Sequence, residues 1–510
     1  MIRYTSTKQL SIFDFKTPFE TTLSPDNRWV KLSDIIPWEV FSASYLKGMS
    51  SNLGRPGLSP RMVLGALIIK HKENLSDQRT IEAIQENIYM QFFVGLESFQ
   101  TDPIFDSSLF VTLRKRIGKS TFSKLNNALI KMLSEKVDQR NISKKDDDSD
   151  TPPNRGSLQA DATVADQNIT YPTDAKLLNT SRKKLEIIID KLYEYGCKEE
   201  VKPRTYRKCL DRDFLNYSKK KRKGIKTHRK LNRKLLCSVK RNLNHIEKML
   251  SNVAELVLGK DYPLTKQDLE YLKTIKLVYQ QQKEMYDTSS NTCKNRIVSI
   301  SQPWVRPILR GKQNARVEFG SKLGVSLDNG FAYLETLSWE AYHEGTDLKK
   351  HVERYYEIHG YFPELVQVDK AYHTRDNRKW LKERNIRITA KPLGRKPKIE
   401  TNAYQKAKRK KEQAERNHIE GKFGEGKNRY NLNEIRAKLK ETSVSWISCI
   451  FFIMNLENYL KKASLGSKFK TLMNQIRLVL VVQILLTNLE HFVTHFYRYY
   501  SSQKLNCENR

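Results

Sequence analysis

Two short strand patterns, each with one aspartate, limit what this 510-residue chain can fold into. In residues 158–164, Leu, Ala, Ala and Val alternate with Gln, Asp and Thr, which predicts a strand with Asp161 on its more polar face. Residues 365–368 form an apolar run that ends at Asp369, and a helical pattern and another strand pattern follow. Acids at the carboxyl ends of such strands predict an α/β sheet that builds a site at one edge.

A hairpin and a charged helix complete this part of the sequence. Strand patterns on either side of Asn329-Gly330 predict a tight hairpin. The helix is expected from Tyr404 to about Lys422 and contains Glu420. If the helix persists, four polar residues project from one face, because they are spaced 3, 4 and 7 residues apart: Gln413, Arg416, Glu420 and Lys427. Three glycines weaken that helix and would let a DNA backbone come close: Gly421, Gly424 and Gly426.

The N-terminal region is predicted to be helical from Pro60 to about Lys136. Apolar residues recur there at helical spacing, and the third helix carries three consecutive cations, Arg114, Lys115 and Arg116. A basic third helix is typical of a helix-turn-helix DNA reader. An ordinary helical bundle with a solvated basic face is equally compatible with the periodicity.

The charge of the chain points to a polyanionic partner. Lys and Arg number 92 against 57 Asp and Glu, which gives a net charge of +35. The most apolar run, Leu478 to Leu489, has 12 residues, whereas about 20 are needed to span a bilayer, so nucleic acid is favoured over membrane. The first residues lack the apolar stretch of a secretory signal, so a cytoplasmic location is expected. Six scattered cysteines predict reduced thiols and no zinc site.

Three carboxylates fit the chemistry of phosphodiester cleavage. Two divalent metal ions can activate a water or a 3′-hydroxyl and stabilise the leaving oxygen, and Mg²⁺ prefers carboxylate ligands. Asp161, Asp369 and Glu420 follow one another at separations of 208 and 51 residues. Taken singly, each has an ordinary alternative, as a turn former after a strand or as a solvated group on a charged helix.

In this arrangement the chain resembles the DDE-type transposases of bacterial insertion sequences, whose third acid lies in a Tyr-x-x-Arg-x-x-x-Glu-x-x-x-x-x-x-Lys signature. Arg416, Glu420 and Lys427 match that signature, and Gln413 stands where the tyrosine belongs. The segments around Asp161 and Asp369 look like the strands of the first two acids. Residues 58–118 resemble the helical DNA-binding domain of the same enzymes.

The resemblance implies an α/β fold with an RNase H-like catalytic core, a mixed sheet flanked by helices. Residues 140–157 combine an acidic run, two prolines and small polar residues, which is typical of a linker. With that boundary, residues 1–139 are the N-terminal all-helical DNA-binding domain and 158–460 the core. A basic helical insertion occupies about 174–310 of the core, and residues 461–510 form a helical tail. The insertion is expected to clamp DNA, to pair subunits or to be a solvated helical hairpin.

The implied activity is cleavage of DNA strands at the ends of an insertion sequence and joining of the 3′-hydroxyl ends to target DNA. Asp161, Asp369 and Glu420 would be catalytic and would bind two Mg²⁺ or Mn²⁺ ions, while Arg416, Lys427 and Lys370 would hold DNA phosphates. The partners would be double-stranded DNA, at terminal inverted repeats and target sites, and further copies of the chain in a homodimer or higher oligomer, in the bacterial cytoplasm at the nucleoid. Two alternatives stay open: a site-specific nuclease of the same fold, and an inactive or regulatory DNA-binding protein.

Overall fold

A computed structural model describes residues 11–17, 22–46, 57–129, 153–196, 201–256, 262–309, 317–389 and 403–462. Most of the predicted linker, the apolar run from Leu478 and nearly all of the C-terminal tail lie outside these ranges. No helix within them is both long and apolar enough to cross a membrane. The N-terminal region is helical, as predicted, with α1 (Arg28–Ile35), α2 (Trp38–Leu46), α3 (Pro60–Lys72), α4 (Asp77–Glu86), α5 (Ile88–Phe93), α6 (Leu109–Arg116) and α7 (119–129).

The remaining described elements form a mixed sheet with helices around it. They are β1 (Ser157–Asp166), α8 (Asp174–Gly196), α9 (Arg207–Lys219), α10 (Ile225–Leu256), α11 (Lys266–Asp287), β2 (Arg306–Ile308), β3 (Glu318–Asp328), β4 (Phe331–Ser338), α12 (Leu348–His359), β5 (Leu365–Val368), α13 (Arg375–Glu383), β6 (Arg387–Ile388), α14 (Ala403–Arg429) and α15 (440–462). The strand order is β2-β3-β1-β5-β6, and β4 also pairs with β3. β1, β5 and β6 are parallel, whereas β3 is antiparallel to β1, β2 and β4.

The predicted hairpin is confirmed. β3 and β4 are joined by Asn329 and Gly330, and Asp328 pairs with Phe331 across the turn. Both turn residues have positive φ, 49° and 79°, which is the backbone geometry that matches the twist of a two-residue hairpin. Asparagine and glycine are the residues that adopt this geometry at least cost, so the local sequence determines the register of β3 against β4.

Helices cover both faces of the sheet. On one face, α12 and α13 pack against the apolar side of β1 and β5 in a cluster that includes Leu158, Val366 and Val352. A second cluster joins residues of β3 and β4 to α14, α15 and the N-terminal helices, for example Val325, Ile419 and Phe452. The polar side of β1 therefore faces a helix, and the sheet is buried from both sides.

The helices between β1 and β2 have a hydrophobic core of their own. Buried residues of α8, α10 and α11 form this cluster, including Leu185, Leu235 and Ile275. α10 is the longest helix, with 32 residues, and it packs mainly against α8. The helical, basic character predicted for about 174–310 is therefore found over α8 to α11.

A buried ionic cluster ties the N-terminal helices to α15. Asp77 accepts two hydrogen bonds from Arg114, at 2.9 and 2.6 Å, and pairs with Lys70 at 3.0 Å. Both cations also lie over the ring of Trp446 on α15, at 4.6 Å for Lys70 and 5.1 Å for Arg114. Arg114, which was predicted to contact DNA, has a side chain that is only 6% exposed and is engaged inside the protein.

We expect Asp77→Ala to lower the free energy of unfolding by about 3 to 5 kcal/mol, because it leaves two buried cations without their carboxylate. Urea unfolding followed by tryptophan fluorescence measures this. Asp102→Ala, at an exposed position, is the matched control and should change the free energy by less than about 0.5 kcal/mol. Equal effects of the two substitutions would contradict a stabilising role for the cluster.

Candidate active site

The first two acids lie at equivalent positions on neighbouring parallel strands. Ala160 of β1 is in register with Val368 of β5, and Asp161 and Asp369 are the next residues of each strand. Asp161 is inside β1, and its Oδ1 accepts a hydrogen bond from the backbone N–H of Ala162 at 2.8 Å. Asp369 follows β5 and is exposed, and its Oδ1 accepts from the N–H of Lys370 at 2.7 Å. The parallel pairing therefore brings the two aspartates to the same edge.

Two buried glutamines hold α14 against these strands. Gln159 and Gln367 are in register on β1 and β5, and Gln159 Nε2 donates to Gln367 Oε1 at 3.0 Å. Gln159 also donates to the carbonyl of Glu415 at 2.9 Å. Gln367 donates to the carbonyl of Glu412 and to the carboxylate of Glu415, both at 3.0 Å. Because a carbonyl oxygen has two lone pairs, α14 keeps its internal hydrogen bonds while it accepts these.

Arg416 connects the first acid to the third. Its Nη1 lies 3.5 Å from Asp161 Oδ2, and its Nη2 lies 3.0 Å from Glu420 Oε1. The guanidinium is 12% exposed and Asp161 is 17% exposed, whereas Glu420 is 54% exposed. The predicted common face of Arg416 and Glu420 is confirmed by this contact.

Asp161 lies in an environment that disfavours its charge. Burial, together with the smaller effects of the nearby Glu344 and Asp369 carboxylates, raises its pKa to about 6. The N–H of Ala162 and the guanidinium of Arg416 act in the opposite direction but do not cancel the effect. The edge of the sheet therefore concentrates negative charge that Arg416 only partly neutralises.

The last signature residue, Lys427, is also paired with a carboxylate. Its Nζ lies 3.3 Å from Glu318 Oε1 of β3. α14 runs without interruption to Arg429, seven residues beyond the predicted end near Lys422, and it includes the three glycines. Gly426 packs closely against Leu432 and Met454, where a β-carbon would be tight, while a β-carbon at Gly421 or Gly424 would meet open space.

The other predicted DNA contacts lie on the surface. Lys370 is exposed directly after Asp369, and Lys115 and Arg116 are exposed at the end of α6. Gln413, which replaces the signature tyrosine, is exposed on α14. These side chains are accessible to a large ligand, in contrast to Arg114.

Sequence reasoning missed three residues that shape the site. Gln159 and Gln367 position α14, and the signal that could have found them is the repeated Gln-x-Asp in both strands. Glu344 pairs with Lys322 at 3.1 Å and belongs to the charges that act on Asp161. It lies in a 3₁₀ turn before α12, and no local pattern marks it.

In the ranges that the structure describes, no group of three or more His, Cys, Asp or Glu side chains is placed to hold a metal ion. Arg416 contacts two of the three predicted acids, Asp161 and Glu420. The charge of the third, Asp369, contributes to the raised pKa of Asp161. The guanidinium, however, stands between Asp161 and Glu420.

We expect Gln367→Leu to lower the free energy of unfolding by about 2 to 4 kcal/mol. The substitution removes three hydrogen bonds and leaves buried partners on Gln159 and α14 unsatisfied. Gln280→Leu changes an exposed glutamine on α11 and serves as the control for side-chain chemistry. Urea unfolding compares the two, and a Gln367→Leu variant as stable as the control would contradict the role of the glutamine pair.

The raised pKa of Asp161 predicts a pH-dependent gain in stability for Asp161→Asn. The folded protein holds the Asp161 proton more tightly than the unfolded chain, so this contribution to stability is complete below pH 3.8 and is lost as pH rises through about 6. Without divalent metal, Asp161→Asn should exceed the parent by up to about 3 kcal/mol at pH 7.5. At pH 4 the difference should be near zero. Thermal unfolding in EDTA at the two pH values measures it, and a less stable variant at pH 7.5 would refute the prediction.

Two family models match separate parts of the chain. The model described as "Transposase DDE domain" matches residues 366–457, which include Asp369, Arg416, Glu420 and Lys427. The model described as "Transposase domain (DUF772)" matches residues 18–116, which contain α1 to α6. Asp161 lies outside both matches.

A curated protein is similar to part of the chain. The chain is 29% identical to the "Uncharacterized protein ORF8 in nfe locus" of Rhizobium meliloti over 182 residues, which are 36% of this chain and 81% of the relative. The two family matches fall on the N-terminal helices and on the part of the sheet region that carries the second and third acids. Both family matches are to transposase domains, which supports a transposase of the DDE type.

Proposed function

We propose that this transposase cleaves DNA strands at the ends of an insertion sequence and joins the freed 3′-hydroxyl ends to target DNA. One observation carries the assignment of the site: Asp161 and Asp369 occupy equivalent positions on adjacent parallel strands, and Arg416 links Asp161 to Glu420. Asp161, Asp369 and Glu420 are the catalytic acids in this proposal. The contacts of Arg416 with Asp161 and Glu420 support a site that α14 shares with β1.

The core is of the RNase H-like type in this proposal. In support, a meander of antiparallel strands, β1, β3 and β4, is extended on the other side of β1 by the parallel strands β5 and β6. Residues 158–460 form this catalytic domain with its insertion, 1–139 form the N-terminal DNA-binding domain, and 140–157 and 461–510 form the linker and tail. The N-terminal helices share a hydrophobic cluster with α15.

A divalent metal fits the chemistry of the donors at this edge. Carboxylate oxygens are the ligands that Mg²⁺ and Mn²⁺ prefer, and a cation would stabilise the charged form of Asp161, whose pKa is raised by burial and by the neighbouring carboxylates. Asp161, Asp369 and Glu420 would hold the ions. When bound, two such ions would activate the attacking oxygen and stabilise the leaving oxygen.

The protein's own residues organise charge around the acids. Arg416 keeps Asp161 and Glu420 in place through its two contacts and offsets part of their charge. Lys370 is exposed beside Asp369 and is suited to contact a DNA phosphate. Lys427 pairs with Glu318 and would reach a phosphate by exchanging that partner. Lys115 and Arg116 of α6 offer further phosphate contacts away from the acids.

The DNA substrate is double-stranded, at the terminal inverted repeats and at the target site, and the complex contains two or more copies of the chain in the bacterial cytoplasm. A second function, a regulatory DNA-binding protein without cleavage activity, is favoured by one observation. Arg416 contacts both Asp161 and Glu420, so its guanidinium already pairs with two of the carboxylates that would hold a metal. Metal-dependent cleavage of an element end excludes this second function, and cleavage with joining also excludes a nuclease that stops at hydrolysis.

We expect Asp369→Asn to reduce strand cleavage and joining by at least about 10³-fold, because a lost metal ligand removes several kcal/mol of transition-state stabilisation. The assay uses DNA carrying the inverted repeats that flank the gene, with Mg²⁺ or Mn²⁺. Asp376→Asn, seven residues further on and also exposed, is the matched control and should keep full activity.

Binding of the same DNA in EDTA should be unaffected in both variants, which separates chemistry from recognition. Full cleavage by Asp369→Asn would show that the acid is not catalytic.

A further inference from the structure

One face of α10 carries a row of cations that the proposed site does not use. Within residues 214–246 the chain has twelve Lys or Arg and no Asp or Glu. Four of these cations are exposed at helical spacing on α10: Lys226, Lys230, Arg233 and Lys240. We call this row the basic stripe. Five consecutive exposed cations, Lys219 to Lys223, lie between the end of α9 and Gly224 and extend the stripe.

Three acids of α8, α9 and α10 pair with cations outside the basic stripe. Asp190 pairs with Arg207 and Lys202, Asp211 with Arg182 and Lys183, and Glu247 with Lys276. Among the residues that the structure describes, no carboxylate pairs with any of the four cations of the basic stripe. The neighbouring Lys234 differs, because Asp213 holds it at 2.6 Å. The stripe is thus a surface of uncompensated positive charge.

The opposite face of α10 is fixed in the core. Leu235, Val239 and Ile246 are buried against α8 and α11. The helix therefore presents its cations on a rigid scaffold, and their side chains lose little further freedom on binding. From Lys226 to Lys240 the stripe spans 14 residues, about 21 Å along a helix, which is roughly the length of six base pairs.

We propose that the basic stripe binds the phosphate backbone of double-stranded DNA at a surface separate from the acids. The inference rests on the proposed DNA substrate. α8 to α11 leave the sheet at the end of β1, five residues beyond Asp161, and return to the sheet at β2, so they extend from the strand that carries the first acid. Contacts to phosphate are independent of base sequence, so the stripe adds affinity without specificity.

The test is the salt dependence of DNA binding by the full chain in EDTA, where no cleavage occurs. Each phosphate contact contributes about 0.9 to the slope of log affinity against log salt concentration. The variant Lys226→Gln/Lys230→Gln/Arg233→Gln should lose about 2 to 3 units of slope. The loss should be equal on an element end and on a random duplex.

A matched control removes three lysines that are paired with acids. Lys273→Gln/Lys276→Gln/Lys283→Gln lowers the net charge by the same amount on α11, where Glu270, Glu247 and Asp287 hold these side chains. Its slope should change by less than 1 unit. Equal losses of slope in the two variants would show that the effect depends only on net charge, and would overturn the proposal. An unchanged slope in the stripe variant would also overturn it.

Two further measurements keep the outcome decisive. Lys220→Gln/Lys221→Gln/Arg222→Gln alters the exposed turn before α10 and leaves the helix untouched, so it should lower the slope even if the first variant is unstable. Tighter binding of single-stranded RNA than of duplex DNA by the parent chain would overturn the assignment to DNA. The parent chain could fail to cleave DNA while only the stripe variants lose slope. That result would refute the proposed function and support this inference.

Discussion

The hydrogen bonds between Gln159, Gln367 and α14 are the constraint on which the candidate site depends. A helix that crosses a sheet through apolar contacts alone can slide by a turn with little loss, because such contacts are not directional. Two buried amides that donate to particular groups of α14 remove this freedom. Since Arg416 follows Glu415 directly, fixing Glu415 over the two strands also fixes where the guanidinium meets Asp161.

The same packing explains why the charged form of Asp161 is disfavoured. α14 covers the polar side of β1 and excludes water from an acid whose neighbours include Glu344 and Asp369. Arg416 offsets this only in part. A chain with a net charge of +35 therefore carries a local excess of negative charge at one edge of its sheet. The positive surface attracts a polyanion, while the acids would repel its phosphates unless a cation lies between them.

The features that could be predicted from the sequence are those whose signals come from neighbouring residues. The alternation around Asp161, the Asn-Gly turn and the spacing of Arg416 and Glu420 depend on neighbouring residues, and the structure bears out the strand, the hairpin and the contact. The burial of Arg114 was not predictable, because its partners Asp77 and Trp446 are 37 and 332 residues away. A run of three cations gives no sign of which one turns inward. The position of Glu344 beside Asp161 likewise arises from a contact between distant segments.

The helical stretch between β1 and β3 shows why a long insertion does not disturb the site. The two strands are antiparallel neighbours, so the chain leaves and re-enters the sheet at adjacent points. The entropy of closing such an excursion grows only with the logarithm of its length, and α8 to α11 bury their own apolar faces in a separate core. The register of β1 against β3 is then decided by the sheet alone. The exposed face of α10 does not contribute to that core. Packing therefore does not constrain which residues occupy this face, and its ligand can.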